Sequence, residues 1–251
     1  MYDIGTRKRA LDLVGQGRSL NSVSRETGIS RAAIRSWLHR LEPLPRAVQP
    51  DPGPPADESA YSYLLGLYLG DGCISAHPRG GFYLRIACAD AWPGLLQQCR
   101  EAITRVRPGV GVHTVRKQGY AAVTSYHRHW PGLFPQHGPG KKHERAIRLE
   151  PWQQVIVDDH PWEFVRGLVH SDGCRVTNWT TRLVAGERKR YEYPRYFFTN
   201  VSPDIRRLFT DTLDRLEVAW TECSRYGVPY NISVARRASV GLMDAHVGPK
   251  H

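Results

Sequence analysis

The sequence predicts a mixed α+β protein built from two similar halves, preceded by a small all-α unit. The main evidence is a helix-ending phrase that occurs twice, as LLGLYLGDG at residues 64–72 and VRGLVHSDG at residues 165–173. A second repeat, GLFPQHGPGK at residues 132–141 and GLMDAHVGPK at residues 241–250, supports a duplication. Between these phrases, stretches of alternating apolar and polar residues indicate β-hairpins, and helical patterns follow them.

The first 48 residues form a separate basic unit, with nine Lys and Arg against four Asp and Glu. We predict three short helices here, the second capped by Ser19 and the third by Ser30. This pattern resembles the helix-turn-helix of recombinases and transposases, and a plain three-helix interaction module is the alternative. The exposed DNA-reading face would consist of Ser30, Arg31, Ala32, Arg35 and Ser36, and the mostly inward residues would be Ile34, Trp37 and Leu38.

The remaining domain boundaries follow from proline content and from the repeats. Six prolines lie between residues 42 and 58, and this density excludes a helix. We therefore predict a proline-rich linker over residues 49–59, a first repeat over residues 60–157 and a second repeat over residues 158–251. The second half is about eight residues longer, and we place the extra length in a hairpin at residues 180–195.

Each repeated phrase carries small residues four positions apart on an otherwise apolar helix, Gly66 and Gly70 in the first copy, Gly167 and Ser171 in the second. Residues at this spacing share one helix face, so the two helices can pack closely through them. The glycine after each aspartate fits a left-handed helix cap. The carboxylates of the two aspartates would then emerge at one end of the helix pair.

Asp71 and Asp172 are therefore expected to lie only a few ångströms apart. Like charges at that distance raise one pKa unless a divalent cation lies between them. Carboxylate oxygens with room for water suit Mg²⁺, and Mn²⁺ is a possible substitute. A single Asp-Gly after a helix usually marks only a turn, but two copies followed by Cys73 and Cys174 favour a paired site.

The two phrases resemble the paired motifs of the LAGLIDADG homing endonucleases. The eighth position of that motif is the metal-binding acid, and it matches Asp71 and Asp172, whereas the variable sixth position is Leu69 and His170. The resemblance covers residue 60 to the end of the sequence. It implies a single chain with two pseudo-symmetric αββαββα repeats that form a β-saddle, acting as a monomer through this internal pseudo-dimer.

The resemblance also implies roles for individual residues. Asp71 and Asp172 would be catalytic, with Gly70 and Ser171 beside them in the metal site, and the basic residue near the scissile phosphate would be Lys141 or Lys142 in one half and Lys250 in the other. Basic residues on the strands would line the saddle and bind DNA, namely Arg79, Arg85, Arg116, Lys117, Arg182, Arg188, Lys189, Arg190, Arg195 and Arg236.

Composition agrees with a partner that is a polyanion. The 251 residues carry a formal charge of +11, with 35 Lys and Arg interleaved with 12 Tyr and 7 Trp, which favours double-stranded DNA over a membrane. Five scattered cysteines without a Cys-x-x-Cys pair exclude a disulfide framework and a zinc finger. We find no membrane-spanning run or signal peptide and expect a cytoplasmic, nucleoid-associated protein.

Two functional classes remain open. The first is a divalent-metal-dependent, site-specific endonuclease that hydrolyses double-stranded DNA with one aspartate per strand. The second is a catalytically silent, DNA-binding transcription regulator, similar to the sporulation regulators that combine a LAGLIDADG domain with a helix-turn-helix. The resemblance also implies a position on the strands after each helix that is often polar. That position falls near the apolar Ala87 in the first half and at Thr199 or Asn200 in the second, so nicking of one strand is also open.

Overall fold

The computed structural model describes residues 2–42, 53–78, 80–225 and 228–251. The chain divides into two compact units, Met1–Asp51 and Pro52–His251. The predicted linker spans residues 49–59. Residues 49–52 lie outside the described residues, and residues 58 and 59 already belong to the first helix of the second unit. The predicted boundary between the repeats, after residue 157, falls near the end of another helix.

The first unit consists of three helices, α1 (Ile4–Gly15), α2 (Leu20–Thr27) and α3 (Arg31–His39). Asp3, Ser19 and Ser30 cap their N-termini, each accepting a hydrogen bond from a backbone N–H three residues on. Their core is formed by Ala10, Val23, Ile29, Ile34 and Trp37. This arrangement is compatible with a helix-turn-helix, which stays a prediction.

The expectation that Leu38 points inward is wrong, because its side chain is 51% exposed. Trp37 fills the inner end of α3 instead, with the ring of Tyr2 at 5.3 Å and the guanidinium of Arg7 at 5.2 Å from its centroid. Leu38 is one residue from the end of the helix, where the fold of the unit leaves it uncovered.

The second unit contains two halves that share the order αββαββα, and the first half has one further helix, α7, at its end. The first half comprises α4 (Glu58–Asp71), β1 (Gly72–Ala76), β2 (Phe82–Ala89), α5 (Pro93–Val106), β3 (Val112–Lys117), β4 (Tyr120–His127), α6 (Trp130–Leu133) and α7 (Pro151–Asp159). The second half comprises α8 (Pro161–Asp172), β5 (Gly173–Val184), β6 (Glu187–Thr199), α9 (Pro203–Arg215), β7 (Thr221–Arg225), β8 (Val228–Val234) and α10 (Arg237–His246). The predicted α+β class and the repeated αββαββα order are confirmed.

Each half builds one four-stranded antiparallel sheet, in the strand orders β1-β2-β4-β3 and β5-β6-β8-β7. The matching orders support the internal duplication. The predicted longer hairpin in the second half is present, since β5 and β6 have 12 and 13 residues against 5 and 8 in β1 and β2.

Helices α4 and α8 pack against each other through their glycines. A Cβ atom on Gly66 would lie 2.6 Å from the carbonyl oxygen of Phe164, and one on Gly167 would lie 2.2 Å from that of Tyr63. These distances are shorter than any van der Waals contact, so the helices approach as closely as bare backbones allow. The two helices and the inner faces of both sheets share one apolar core.

Among the described residues, no helix combines the length and the hydropathy that a membrane crossing requires.

Candidate active site at the paired helix ends

Asp71 and Asp172 are the last residues of α4 and α8. A Cβ on Gly70 would lie 3.0 Å from Oδ2 of Asp172, so the carboxylate of the second half reaches over the helix end of the first half. The predicted meeting of the two helix ends is therefore present.

The glycines after the two acids do not form left-handed caps, contrary to the sequence prediction. Gly72 has φ −91° and Gly173 has φ −108°, and each runs straight from its helix into a strand. Glycine fits there because space is short: a Cβ on Gly72 would lie 2.5 Å from Cα of Tyr68, and one on Gly173 would lie 2.8 Å from Cα of Val169.

Asp172 is half-buried and Asp71 is exposed at its helix end, and the pKa of both carboxyl groups is raised. Burial and the charge of Asp71 raise the pKa of Asp172 to about 6, against a hydrogen bond from Asn200. Burial also raises the pKa of Asp71, although the ammonium groups of Lys250 and Lys142 oppose the rise. Two neighbouring acids whose charged forms are both disfavoured in this way favour a cation between or beside them.

The ammonium groups of two lysines bind the last carbonyl groups of the two helices. Nζ of Lys142 donates to the carbonyls of Tyr68, Leu69 at 3.0 Å and Gly70 at 2.8 Å. Nζ of Lys250 donates to the carbonyl of Ser171 at 2.8 Å. The last carbonyls of a helix have no partner within the helix and carry partial negative charge, so an ammonium group is the expected companion.

The sequence left the choice between Lys141 and Lys142 open, and the structure places their side chains differently. Lys142 points into the site, whereas the side chain of Lys141 is exposed and lies 3.5 Å from Glu144. Burial lowers the pKa of Lys142 to about 8 and also lowers that of Lys250. Lys142 and Lys250 are therefore the lysines that contact the helix ends, while Lys141 lines the same cleft with an exposed side chain, and its predicted role stays a prediction.

Each lysine interacts most strongly with the acid of the other half. Among the carboxylates, Asp172 has the largest effect on the pKa of Lys142, and Asp71 has the largest effect on that of Lys250. A cleft of about 410 Å³ agrees with this pairing, because Lys142, Asp172 and Asn200 line it together. The cleft therefore draws on both halves of the chain.

Gly70 and Ser171 contribute only backbone oxygens to the site. Their carbonyls accept hydrogen bonds from Lys142 and Lys250, while the hydroxyl of Ser171 donates back to the carbonyls of Gly167 and Leu168 within its helix. Any metal-binding role they have is thus limited to carbonyl lone pairs that the lysines leave free.

Asn200 distinguishes the second half from the first. Its Nδ2 donates to Oδ2 of Asp172 at 2.6 Å, and its Oδ1 accepts from the backbone N–H of Ser202 at 2.8 Å. The strand registers pair Gly173 with Phe198 and Gly72 with Ile86, so Asn200 corresponds to Cys88 in the first half. The aspartate of the first half has no amide at this position to orient it.

The basic strand residues divide between two faces of the sheets. Leu84, Ile86, Tyr196 and Phe198 are buried against the helices, and successive strand residues point to opposite sides. We call the side turned away from the helices the open face. By register it carries Arg85, Lys117, Arg182, Lys189 and Arg195.

The other basic residues predicted to line the saddle are placed elsewhere. Arg116, Arg188 and Arg190 share the helix side of their sheets, because they lie opposite Ala121, Leu183 and Thr181 in register. Arg236 precedes α10 as its N-cap residue and is not part of a strand. Arg79 lies outside the described residues. The predicted placement on one strand face is therefore wrong for Arg116, Arg188, Arg190 and Arg236, whereas their DNA-binding role stays a prediction.

In the first unit, the predicted DNA-reading residues lie at the start of α3. Ser30 uses its side chain as the helix cap, and Nη1 of Arg31 donates to Oδ1 of Asn21 at 2.9 Å. Arg35 and Ser36 are exposed on the same helix. Arg35 is thus the arginine of α3 that is most available to a partner.

Comparison with known proteins gives structural neighbours only. Neither a family model nor a curated protein matches the sequence. Solved structures similar to this chain are LAGLIDADG proteins. Identities of 11–13% accompany TM-scores of 0.46–0.48 in the three structures that follow.

The first of these is I-DmoI in complex with DNA and Mn, 12% identical with TM-score 0.48, covering 77% of this chain and 98% of that one. The second is the LAGLIDADG meganuclease I-AabMI bound to uncleaved DNA, 13% identical with TM-score 0.47, covering 74% and 82%. The third is the N-terminal LAGLIDADG domain of DUF199/WhiA, 11% identical with TM-score 0.46, covering 77% and 83%.

Proposed function

We propose that the protein is a site-specific, divalent-metal-dependent endonuclease that hydrolyses double-stranded DNA, with one aspartate serving each strand. The observation that carries this proposal is the pair of carboxylates at the ends of α4 and α8, both with a raised pKa and both flanked by lysines. Such a pair has little value for stability, because burial disfavours both charges. Its chemistry suits a cation and a phosphodiester.

Two features support DNA binding, namely the positive charge of the chain and the basic residues on its strands. The formal charge is +11, and the open face of the twin sheets presents Arg85, Lys117, Arg182, Lys189 and Arg195 on strands. Antiparallel strands fit the major groove, and Lys and Arg bind the phosphates beside it. We further propose that α3 extends recognition through Arg35.

The donor set fits Mg²⁺ or Mn²⁺. The described residues contain no group of three or more His, Cys, Asp and Glu side chains that could hold an ion. Two carboxylates, a carbonyl and oxygens from water or phosphate would complete the shell, as is common for Mg²⁺. When bound, the cation supplies positive charge that polarises a phosphoryl oxygen and acidifies water.

The side chains of the site have separate roles in this proposal. Asp71 and Asp172 would hold the cation and position the phosphate, and Asn200 orients the Asp172 carboxylate by donating to it. Lys142 and Lys250 lie beside the acids and would stabilise the negative charge that develops on the phosphate oxygens. Because both halves contribute, we propose that one chain acts as a monomer.

A transcription regulator that binds DNA without cutting it is the second candidate function. Two observations favour it: the separate three-helix unit, and Cys88 in place of the amide that orients the other aspartate. Both candidates predict tight, sequence-specific and salt-sensitive binding to duplex DNA. They differ in what divalent metal does to the bound duplex.

The distinguishing experiment begins with selection of the preferred site from a randomised duplex library. The recovered duplex is then incubated with the full-length protein in Mg²⁺, in Mn²⁺ and in EDTA. Cleavage at one position that EDTA abolishes supports the nuclease. Tight binding without a cut in either metal contradicts it and favours the regulator.

The difference between Asn200 and Cys88 predicts unequal cutting of the two strands. We expect Asn200→Ala to slow hydrolysis of one strand by about 10- to 100-fold and hydrolysis of the other strand by less, because the Asp172 carboxylate loses the amide that orients it while Asp71 would still bind the shared cation. Strand-specific end labels measure the two rates. Cys88→Asn is the matched variant, and equal slowing of both strands by Asn200→Ala would contradict the assignment.

The raised pKa of Asp172 predicts a pH dependence of stability in the metal-free protein. Its pKa is 3.8 ordinarily and about 6 in the folded chain, so the folded state binds the proton more tightly than the unfolded state. The free energy of unfolding should therefore fall as pH rises from 4 to 6, by about 2 kcal/mol from this group, and then level off.

Melting curves of the wild type and Asp172→Asn, recorded in EDTA between pH 4 and pH 8, check this expectation. The variant should gain stability relative to the wild type over that window. A difference between the two proteins that is independent of pH would show that Asp172 is not held in a disfavoured charge state.

A further inference from the structure

A second cavity lies between α4, α5 and α8, and it shares no residue with the cleft at the acids. It encloses about 300 Å³ and is lined in part by Ser59, Tyr63, Gln98, Glu101, Arg105 and Arg166. Small-molecule sites are commonly of this size or somewhat larger, with a few polar groups on an apolar wall. Ala60 and Ala102 supply part of that wall.

Arg166 is the unusual residue in this cavity. Its guanidinium stacks over the ring of Tyr63, with Cζ at 4.6 Å from the ring centroid. Its Nε is buried and has no hydrogen-bond partner, and among the described residues no carboxylate lies within ion-pair distance of it. A guanidinium is always charged and carries five donors, so such a group is costly to leave unsatisfied.

The other charges around the cavity already have partners. Arg105 forms an ion pair with Asp57 at 2.6 Å. The carboxylate of Glu101 accepts a hydrogen bond from Nε2 of Gln97 at 2.7 Å. Arg166 is therefore the cation of this cavity that is left for a ligand, and the ligand should be an anion.

We propose that this cavity binds a small molecule bearing a carboxylate or phosphate group, held by Arg166. The planar fork of a guanidinium matches both oxyanions in a bidentate arrangement. The hydroxyl of Ser59 and the amide of Gln98 lie on the same lining and can donate to further oxygens. The ring of Tyr63, already stacked on the guanidinium, keeps the fork in place.

The cavity is connected to the helix that carries the second acid. The hydroxyl of Tyr63 is hydrogen-bonded to Oε1 of Gln98 at 3.1 Å and to Nδ1 of His170 at 3.0 Å. His170 is 3% exposed and lies two residues before Asp172 on α8. A ligand bound to Arg166 would thus be linked to the last turn of α8 through the side chain of Tyr63.

The test is a titration of the full-length protein with inorganic phosphate and, separately, with acetate, followed by NMR at the arginine Nε–Hε groups. The Arg166 signal is assigned by its loss in Arg166→Gln, and Arg85 on the open face serves as the reference for weak surface binding. We expect the Arg166 signal to shift and saturate at about a tenfold lower concentration than the Arg85 signal.

The two anions distinguish the sources of the oxyanion, since preference for phosphate indicates a phosphate ester and preference for acetate indicates a carboxylic acid. Arg100→Gln is the matched control and should leave the Arg166 response in place, because Arg100 lies on the same helix but outside the lining of this cavity and donates to Thr114. No shift at Arg166, or a response no stronger than that of Arg85, overturns the proposal. The measurement uses neither DNA nor metal, so its outcome is independent of the proposed nuclease activity.

Discussion

Replacing both Asp71 and Asp172 by asparagine should abolish metal-dependent cleavage and leave DNA binding at least as tight as in the wild type. Asparagine keeps the shape of the side chain and removes the charge that holds a divalent cation. Loss of two negative charges next to the phosphates removes repulsion. Cleavage of the selected duplex in Mg²⁺ and its affinity in EDTA are the two measurements.

The same double variant should also be more stable than the wild type. The raised pKa of Asp172 shows that its charged form is disfavoured in the folded protein, whereas the exposed Asp71 contributes little, so we expect the free energy of unfolding at neutral pH to rise by about 1–2 kcal/mol. Asp211→Asn, at an exposed position of α9, is the matched control and should change neither quantity. A double variant that still cuts would place the chemistry elsewhere.

Gly167→Ala should be the most destabilising single substitution in the helix pair. The added Cβ would lie 2.2 Å from the carbonyl oxygen of Tyr63 and 2.9 Å from Cα of Gly66. Both are backbone atoms of a buried helix, so they cannot turn away as a flexible side chain could. We expect a loss of about 3 kcal/mol, which for a chain of this size lowers the melting temperature by roughly 6–12 °C.

Gly241→Ala provides the matched control for this prediction. Gly241 lies within α10, and a Cβ added there would meet nothing within 4 Å. Alanine is the better helix former, so this variant should gain about 0.5–1 kcal/mol. Equal melting temperatures for the two variants would contradict the close packing of α4 and α8.

The features that the sequence predicted correctly are those with a local and repeated signal. Small residues at Gly66 and Gly167, in apolar helices that both end in Asp-Gly, are enough to indicate the packed pair. The serine caps of α2 and α3 and the αββαββα order followed in the same way, from capping residues and from alternation. The long β5–β6 hairpin followed from the unequal spacing of the two repeats.

Other features depend on contacts between distant parts of the chain. Lys141 and Lys142 are neighbours in sequence, and only the fold decides which of them reaches the carbonyls at the end of α4. The face of a strand residue depends on register, so Arg188 and Lys189 point to opposite sides. The edge strand β7 was not predicted, because its sequence TECSR has no apolar alternation.

Two further departures have local causes that the sequence pattern did not reveal. The sequence pattern predicted a left-handed cap at Gly72, but the chain continues directly from α4 into β1. Glycine is required there because a side chain would collide with the backbone of Tyr68. The sequence left the polar position of the second half open between Thr199 and Asn200, and only the matching registers of β2 and β6 make Asn200 the counterpart of Cys88 in the other half.

The central claim is that Asp71 and Asp172 form one shared site for a divalent cation. Titration of the DNA-bound protein with Mn²⁺, followed by electron paramagnetic resonance, tests it most directly when wild type, Asp71→Asn and Asp172→Asn are compared. We predict that each single variant weakens the same tight Mn²⁺ site by at least about tenfold, because both carboxylates hold one ion. Tight Mn²⁺ binding that survives in either variant would contradict a shared site.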